Sequence, residues 1–401
     1  MSVAFELPEI DRTVTINGLR TMSAQLKVLM GEIRKDSIAP EKRKTPPTYT
    51  STQVAEMCGI DRARLNYLAT KPGTTLPPGE LQGNGRRRVF TLAETRQWIQ
   101  QVSSITKSPL LKLGVAIGKI IASSNFKGGS CKTTTSMCMA QALSLRGRKV
   151  LLVDLDPQAS LTELCGIYAE TELTSADTVL PFIDNPREHK LEDVVRPTYW
   201  DGIDIIPAHP GLFDAEFILP QETYKQPGFQ FWTLLTKGLE PLRAKYDYII
   251  LDSAPSLSYL TINGLMAADA MVMPLVPDSL DFMSLATFWN LYSDMAGGFD
   301  DGPVKQYDFI SILLNKVDTG PTNGAKTAVV REWVQRAYGT WKSDIEVPMS
   351  SAMSGGALEL STVFDLDKDD SGLKTLQRVR APYEKYCQWL DEFYAPKWEK
   401  A

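Results

Sequence analysis

The chain reads as an α/β protein: a parallel phosphate-loop sheet flanked by helices, preceded by an N-terminal all-α region with a winged helix-turn-helix. Three observations predict this. Residues 118–138, GKIIASSNFKGGSCKTTTSMC, pass from an apolar run through a glycine pair into a segment without Pro or Gly as far as Gly147, the form of a strand, an anion-cradling loop and a helix. Two later apolar runs, KVLLVDLDPQ (149–158) and YDYIILDSAP (246–255), end in carboxylates, as buried parallel strands do when ligands bind beyond their carboxyl ends. The first 110 residues show helical periodicity instead of buried-strand runs.

From the N-terminus, Ile16, Leu19, Met22, Leu26, Leu29 and Ile33 recur at helical spacing, which predicts a helix with one apolar stripe. Such a stripe needs a partner, either its own chain or a second copy, and the reading adopted is a dimerisation helix. The Pro-rich, charged IAPEKRKTPPTYT that follows reads as a linker, giving a first segment over 1–45. Residues 46–107 predict a small winged helix-turn-helix. A helix capped by Thr50 or Ser51 is followed by a turn at Gly59 and a second helix from near Asp61, with Arg62, Arg64 and Asn66 on its early turns, where such domains meet the major groove. Arg86, Arg87 and Arg88 in GNGRRRVF are placed to reach the phosphate backbone, and LAETRQWIQQV reads as the closing helix. A solvated basic loop on a protein-binding domain is the competing reading. The remainder, 108–401, is the α/β domain with C-terminal helices.

The loop chemistry follows from residue type. Backbone N–H groups around Gly128, Gly129 and Ser130 can converge on one anion, because glycine has no Cβ to obstruct approach and the helix dipole adds to the attraction. Lys132 then meets the β- and γ-phosphates and the Thr133 hydroxyl ligates Mg²⁺, with Cys131 and Thr134 completing the binding segment. The loop departs from G-x-x-x-x-G-K-[ST] at both glycines, with Phe126 at the first and Cys131 at the last. Asp154, Asp156 and Asp252, at the ends of the two later strands, converge on the same crevice.

These residues carry a family resemblance. Lys127-Gly-Gly-Ser-Cys-Lys132-Thr-Thr resembles the deviant Walker A box KGGxGK[ST][ST] except at Cys131, and DLDPQASLTE and ILDSAPS resemble the next two boxes of the ParA/MinD ATPases. The resemblance runs from about residue 117 to 320, and the long N-terminal region is similar to that of the larger plasmid-type ParA proteins, including RepA members of replication and partition operons. It implies an ATP- and Mg²⁺-dependent partition ATPase with weak intrinsic turnover, a homodimer in the ATP state that binds nonspecific DNA. It also implies stimulation by a ParB-type centromere-binding partner, repression of its own operon through the helix-turn-helix, and a place on the bacterial nucleoid in the cytoplasm. Lys127 resembles the signature lysine that reaches the partner subunit's phosphates. Asp156 resembles the residue that positions the attacking water, and Asp252 the carboxylate that holds Mg²⁺ through water. Asp154 is a further metal candidate or a buried structural carboxylate. Asn315, in FISILLNKVDTG, and Pro348 match adenine-contacting positions, and the strand is expected to end at Asn315. A nucleotide-sensing repressor without a partition role is the alternative.

A side chain at position 131 is expected to slow hydrolysis without abolishing binding, and its thiol, at a helix start beside Lys132, is a candidate for a lowered pKa. Lys374, Arg378 and Arg380 form a second candidate DNA surface or, equally, a solvated helix face. The net charge of −5 gives no global drive toward nucleic acid, so DNA binding has to come from local patches. Cysteines at 58, 131, 138, 165 and 387 show neither zinc spacing nor disulfide density, and the histidines at 189 and 209 sit in no metal pattern. No apolar run approaches the roughly 18 residues of a membrane span. Within 159–235 only a strand at 203–206 is readable.

Overall fold

The structure is a computed structural model that describes residues 15–37, 44–83, 87–105, 117–299, 305–318, 320–321, 324–350, 360–366 and 373–398. The chain divides into two compact units, residues 1–45 and 46–401. The first contains α1 (Ile16–Ser37), a continuous helix of 22 residues. Ile16, Leu19, Met22 and Leu26 are 48–69% exposed along it. The side chain of Ile33 and residues 38–43 of the expected linker lie outside the described residues.

In the second unit, β1 (Tyr49–Thr50) leads into α2 (Ser51–Cys58) and α3 (Arg62–Thr70). Thr50 caps α2 in a reciprocal box with Gln53, and Gly59 ends it at φ +66°, the left-handed conformation that a residue without Cβ adopts at little cost. Asp61 caps α3 by accepting from the Arg64 N–H at 2.8 Å. A hairpin, β2 (Glu80–Gln82) and β3 (Arg87–Phe90), joins β1 in a three-stranded antiparallel sheet, and α4 (Leu92–Ile105) closes the motif. Val54, Leu65, Phe90 and Trp98 form its core, and the Trp98 indole donates to the Pro77 carbonyl at 2.9 Å, tying the segment before β2 to α4.

The main sheet has eight strands. They are β4 (Lys119–Ser123), β5 (Val150–Asp154), β6 (Arg196–Pro197), β7 (Ile203–Ile206), β8 (Tyr248–Asp252), β9 (Ala270–Leu275), β10 (Phe309–Val317) and β11 (Lys342–Pro348), in the order β11-β10-β9-β4-β8-β5-β7-β6. All pairs are parallel except β6 with β7, so the sheet is mixed at one edge. β10 also runs two residues past Asn315, where the strand was expected to stop. Its interior is apolar on both faces because both are covered. Ile120, Leu151, Val153, Ile249 and Leu251 share one cluster. Their alternates Ile121, Val150, Leu152, Tyr248 and Ile250 share the other with α5 (Lys132–Ser144) and the C-terminal helix Leu373–Trp398.

Helix α5 is enclosed nearly throughout: Thr135 to Ser144 are all buried. Its far end is held by α4. The Arg96 guanidinium donates to the carbonyls of Ser144 and Arg148, each at 3.0 Å, pairs with Asp201, and lies against Gly202, where a Cβ would collide with it. The C-terminal helix supplies Asp391, fully buried, which accepts from Arg146 Nε at 2.6 Å, Arg148 Nε at 3.0 Å and the Tyr248 hydroxyl at 2.9 Å. Removing that carboxylate leaves the buried Arg148 with only the more distant Asp247, 3.8 Å away, so Asp391→Ala is expected to lower unfolding free energy by about 3–5 kcal/mol, read by denaturant titration.

Candidate functional site

The carboxyl ends of the central strands meet where the topology predicts a ligand. Register places Asp252 between Ser123 on one neighbour and Asp154 on the other. The loop after β4 rises beside it and is pinned by Asn125, whose side chain donates to the Pro274 carbonyl at 2.8 Å and accepts from the Lys127 N–H at 3.1 Å. Around Gly128 and Gly129 an added Cβ would meet nothing within 4 Å, and Gly129 takes φ +76°. The loop is therefore open where an anion would approach.

The start of α5 is unfinished without a ligand. Its N-cap residue, Cys131, makes no side-chain cap bond, and the buried Ser130 hydroxyl has no hydrogen-bond partner. Buried helix starts need such partners. An anion accepting from the loop would supply them, so the residues present fit a phosphate group. Lys132, 7% exposed, lays its ammonium on the Lys127 carbonyl at 3.1 Å, and burial pushes its pKa down. Beneath it, Thr133 Oγ1 donates to Asp252 Oδ2 at 2.7 Å and Ser136 Oγ donates to Oδ1 at 2.8 Å. Burial pushes Asp252 up to about 6 against those two donors. A hydroxyl joined to a carboxylate below a phosphate loop is an oxygen set suited to Mg²⁺ with retained waters. Thr134 is half-buried on the same first turn.

Other expected residues fall in different places. Asp154 is fully buried and accepts from the Thr162 N–H at 2.9 Å, the Thr162 hydroxyl at 2.7 Å and the Asp156 N–H at 3.1 Å. Burial, then the Asp252 charge, pushes it up to about 8. These bonds anchor the start of α6 (Ser160–Leu164). Asp156 is half-buried and accepts from the Gln158 N–H at 2.9 Å. The Lys127 side chain is 39% exposed, with its ammonium 3.9 Å from Asp281. Cys131 takes φ +72°, the conformation for which its position ordinarily holds glycine. Burial raises its thiol pKa, which reverses the lowering expected from the helix start: desolvation exceeds the lysine charges. Asn315 is buried, donating to the Leu313 carbonyl at 3.3 Å and accepting from the Tyr383 hydroxyl at 3.1 Å. Pro348 ends β11 opposite Val317.

The candidate nucleic-acid residues separate. Arg62 and Arg64 are exposed at the start of α3, with Asn66 half-buried behind them, and Arg87 is exposed on β3. Arg88 is half-buried, with its guanidinium directed at the Pro78 carbonyl. Arg86 lies outside the described residues. On the C-terminal helix, Lys374 is exposed, but Arg378 donates to the Met349 carbonyl at 2.7 Å and Arg380 to Glu384 at 2.6 Å, over the Phe364 ring. Two of those three cations thus have structural partners. The motif reading missed Ser136 and Asp281. Ser136 lies one helical turn beyond Thr133, a spacing that places both on one face, whereas Asp281 is 154 positions from Lys127 and gives no local signal. Among the described residues there is no His, Cys, Asp and Glu cluster of metal-binding type, and no helix long and apolar enough to cross a membrane.

Comparisons agree with this geometry. An AAA domain model matches residues 118–297. Protein SopA of Escherichia coli K12 is 26% identical over 378 residues, covering 93% of this chain and 94% of its own. A solved structure described as a partition protein superposes with a TM-score of 0.62 over 94% of this chain and 97% of its own, at 18% identity, a likeness of fold. Cobyrinic acid a,c-diamide synthase of Mycobacterium smegmatis, solved with a bound ATP analogue and magnesium, is 25% identical, with a TM-score of 0.53 over 68% of this chain and 94% of its own.

Two outcomes follow from the site. Because the folded-state pKa of Asp252 is raised, its carboxylate is complete only above about pH 6 and is lost as pH falls through that value. Mg²⁺-dependent nucleotide affinity should therefore drop roughly tenfold between pH 7 and 5, while metal-free binding changes less. Cys131→Gly removes a left-handed non-glycine residue and should raise stability by about 1 kcal/mol in a denaturant titration.

Proposed function

Since the resemblance to the ParA-type partition ATPases is borne out in both sequence and fold, we propose that this chain binds Mg·ATP at the β4–α5 loop and hydrolyses it slowly in the service of DNA partition. The observation that carries this reading is the Thr133–Asp252 hydrogen bond beneath an open glycine loop whose helix start is uncapped. In the proposed cycle, loop amides and Lys132 hold the β- and γ-phosphates, and Thr133 with Asp252 hold the Mg²⁺. The ion's chemistry is to neutralise charge developing on the phosphates. Asp156 orients the attacking water, and Asn315 with Pro348 faces the base.

Lys127 is half-exposed at the mouth of the loop and is set to reach a second copy's phosphates, so that two chains close over two nucleotides. The closed dimer binds nonspecific DNA, and a ParB-type partner accelerates hydrolysis and release. α1 supplies a further dimer contact through its apolar stripe, and residues 46–107 act as a DNA-binding domain that represses the chain's own operon through Arg62, Arg64, Asn66 and Arg87. A repressor that uses nucleotide only as a ligand is the second reading. It is favoured by the Arg96 contact between α4 and the end of α5, which joins the helix-turn-helix to the nucleotide helix.

Binding to nonspecific duplex DNA with ATP, ADP or no nucleotide separates the two. ATP alone should switch binding on, Lys132→Ala should abolish it, and Asp156→Ala should prolong it by at least several-fold through blocked turnover. Nucleotide-independent binding confined to one operator sequence would replace partition with the repressor reading.

A further inference from the structure

Lys316, next to Asn315 in β10, has no part in the roles described so far, yet three features single it out. Its φ is +51°, a left-handed conformation that persists in a non-glycine residue only where its surroundings enforce it. The pairing of β10 with β11 shifts register between Leu314 and Val317, and such irregularities re-aim a side chain. The ammonium so directed ends 3.4 Å from the carbonyl oxygen of Gly129, in the phosphate loop 187 residues away in sequence. The Cys131 thiol lies 3.8 Å from that same carbonyl.

We infer that Lys316 is a positioning residue of the nucleotide site, a cation that grips the Gly129 carbonyl and thereby sets the direction of the next amide in the phosphate loop. In a planar trans peptide the C=O of one residue and the N–H of the next point opposite ways. Holding Gly129 C=O toward β10 therefore turns the Ser130 N–H to the other side. Cys131 gives this grip a purpose. At φ +72° its Cβ disfavours the loop's shape, and a cation anchored on the neighbouring peptide opposes relaxation of that shape. The inference rests on the ATP-site reading above, and it assigns Lys316 to the phosphate loop and not to the base.

The test uses the full chain with Lys316→Met and Lys316→Arg, measuring binding of Mg·ATP and of inorganic tripolyphosphate, and the melting temperature without ligand. A charge-assisted hydrogen bond of this kind predicts that Lys316→Met weakens both ligands by the same factor, roughly five- to tenfold, and leaves the ligand-free melting temperature unchanged. Lys316→Arg should recover most of the loss. Unchanged ATP affinity in Lys316→Met, or a loss for ATP without one for tripolyphosphate, overturns the inference; the latter makes Lys316 a base or ribose contact. A lowered ligand-free melting temperature with no rescue by arginine also overturns it, leaving a general structural role. Wild-type protein that binds no Mg·ATP removes the ATP-site reading itself, and this inference with it.

Discussion

Burial of α5 from its second turn to its end is the constraint around which the rest of the second unit is arranged. A helix exposed on one face can satisfy its terminal groups with water, but an enclosed one must find them partners in the protein or in a ligand. At its end the Ser144 carbonyl takes Arg96 from α4 and Arg148 pairs with Asp391 from the C-terminal helix. At its start no side chain caps it. The two ends are thus solved differently, one by distant parts of the chain and the other by leaving room for an anion.

The same economy explains the charges at the strand ends. Two carboxylates occupy adjacent positions on β5 and β8, and both are fully buried. Their surroundings divide their work. Asp154 receives two bonds from Thr162 and one from the Asp156 backbone, so it organises the turn into α6. Asp252 receives hydroxyls from α5 alone and remains the carboxylate coupled to the phosphate loop. Neighbouring groups of the same chemistry are separated in role by the donors around them.

Much of this was legible in residue order. The glycine pair with Lys132, the two acid-tipped strands, the helix starts at Thr50 or Ser51 and near Asp61, and the strand at 203–206 rest on local patterns, and local patterns survive folding when each agrees with the global arrangement. The illegible parts depend on partners far away in sequence. The contacts of Arg88 with the Pro78 carbonyl and of Arg380 with the Phe364 ring give no local signal. The two-residue antiparallel β6 is too short to show periodicity. Asp281 and Arg96 look like ordinary surface charges, and only the fold brings them to Lys127 and to α5. At Cys131 the local chemistry was read correctly as to helix position but not as to burial, which dominates its thiol.

Asp391 also bears on how the chain is made. Its partners Arg146 and Arg148 precede it by 245 and 243 residues, and Tyr383, Tyr386, Leu390 and Tyr394 beside it cover the same face of the sheet. A ribosome releases these residues well after the partners that they cover. Until they emerge, the side of α5 that they cover stays open, so this face cannot close during synthesis. Loop closure over such a span is slow relative to local helix formation, and the nascent protein passes through an interval in which its nucleotide loop is already made but its core is open. The order in which this face can close is thereby written into the position of one carboxylate.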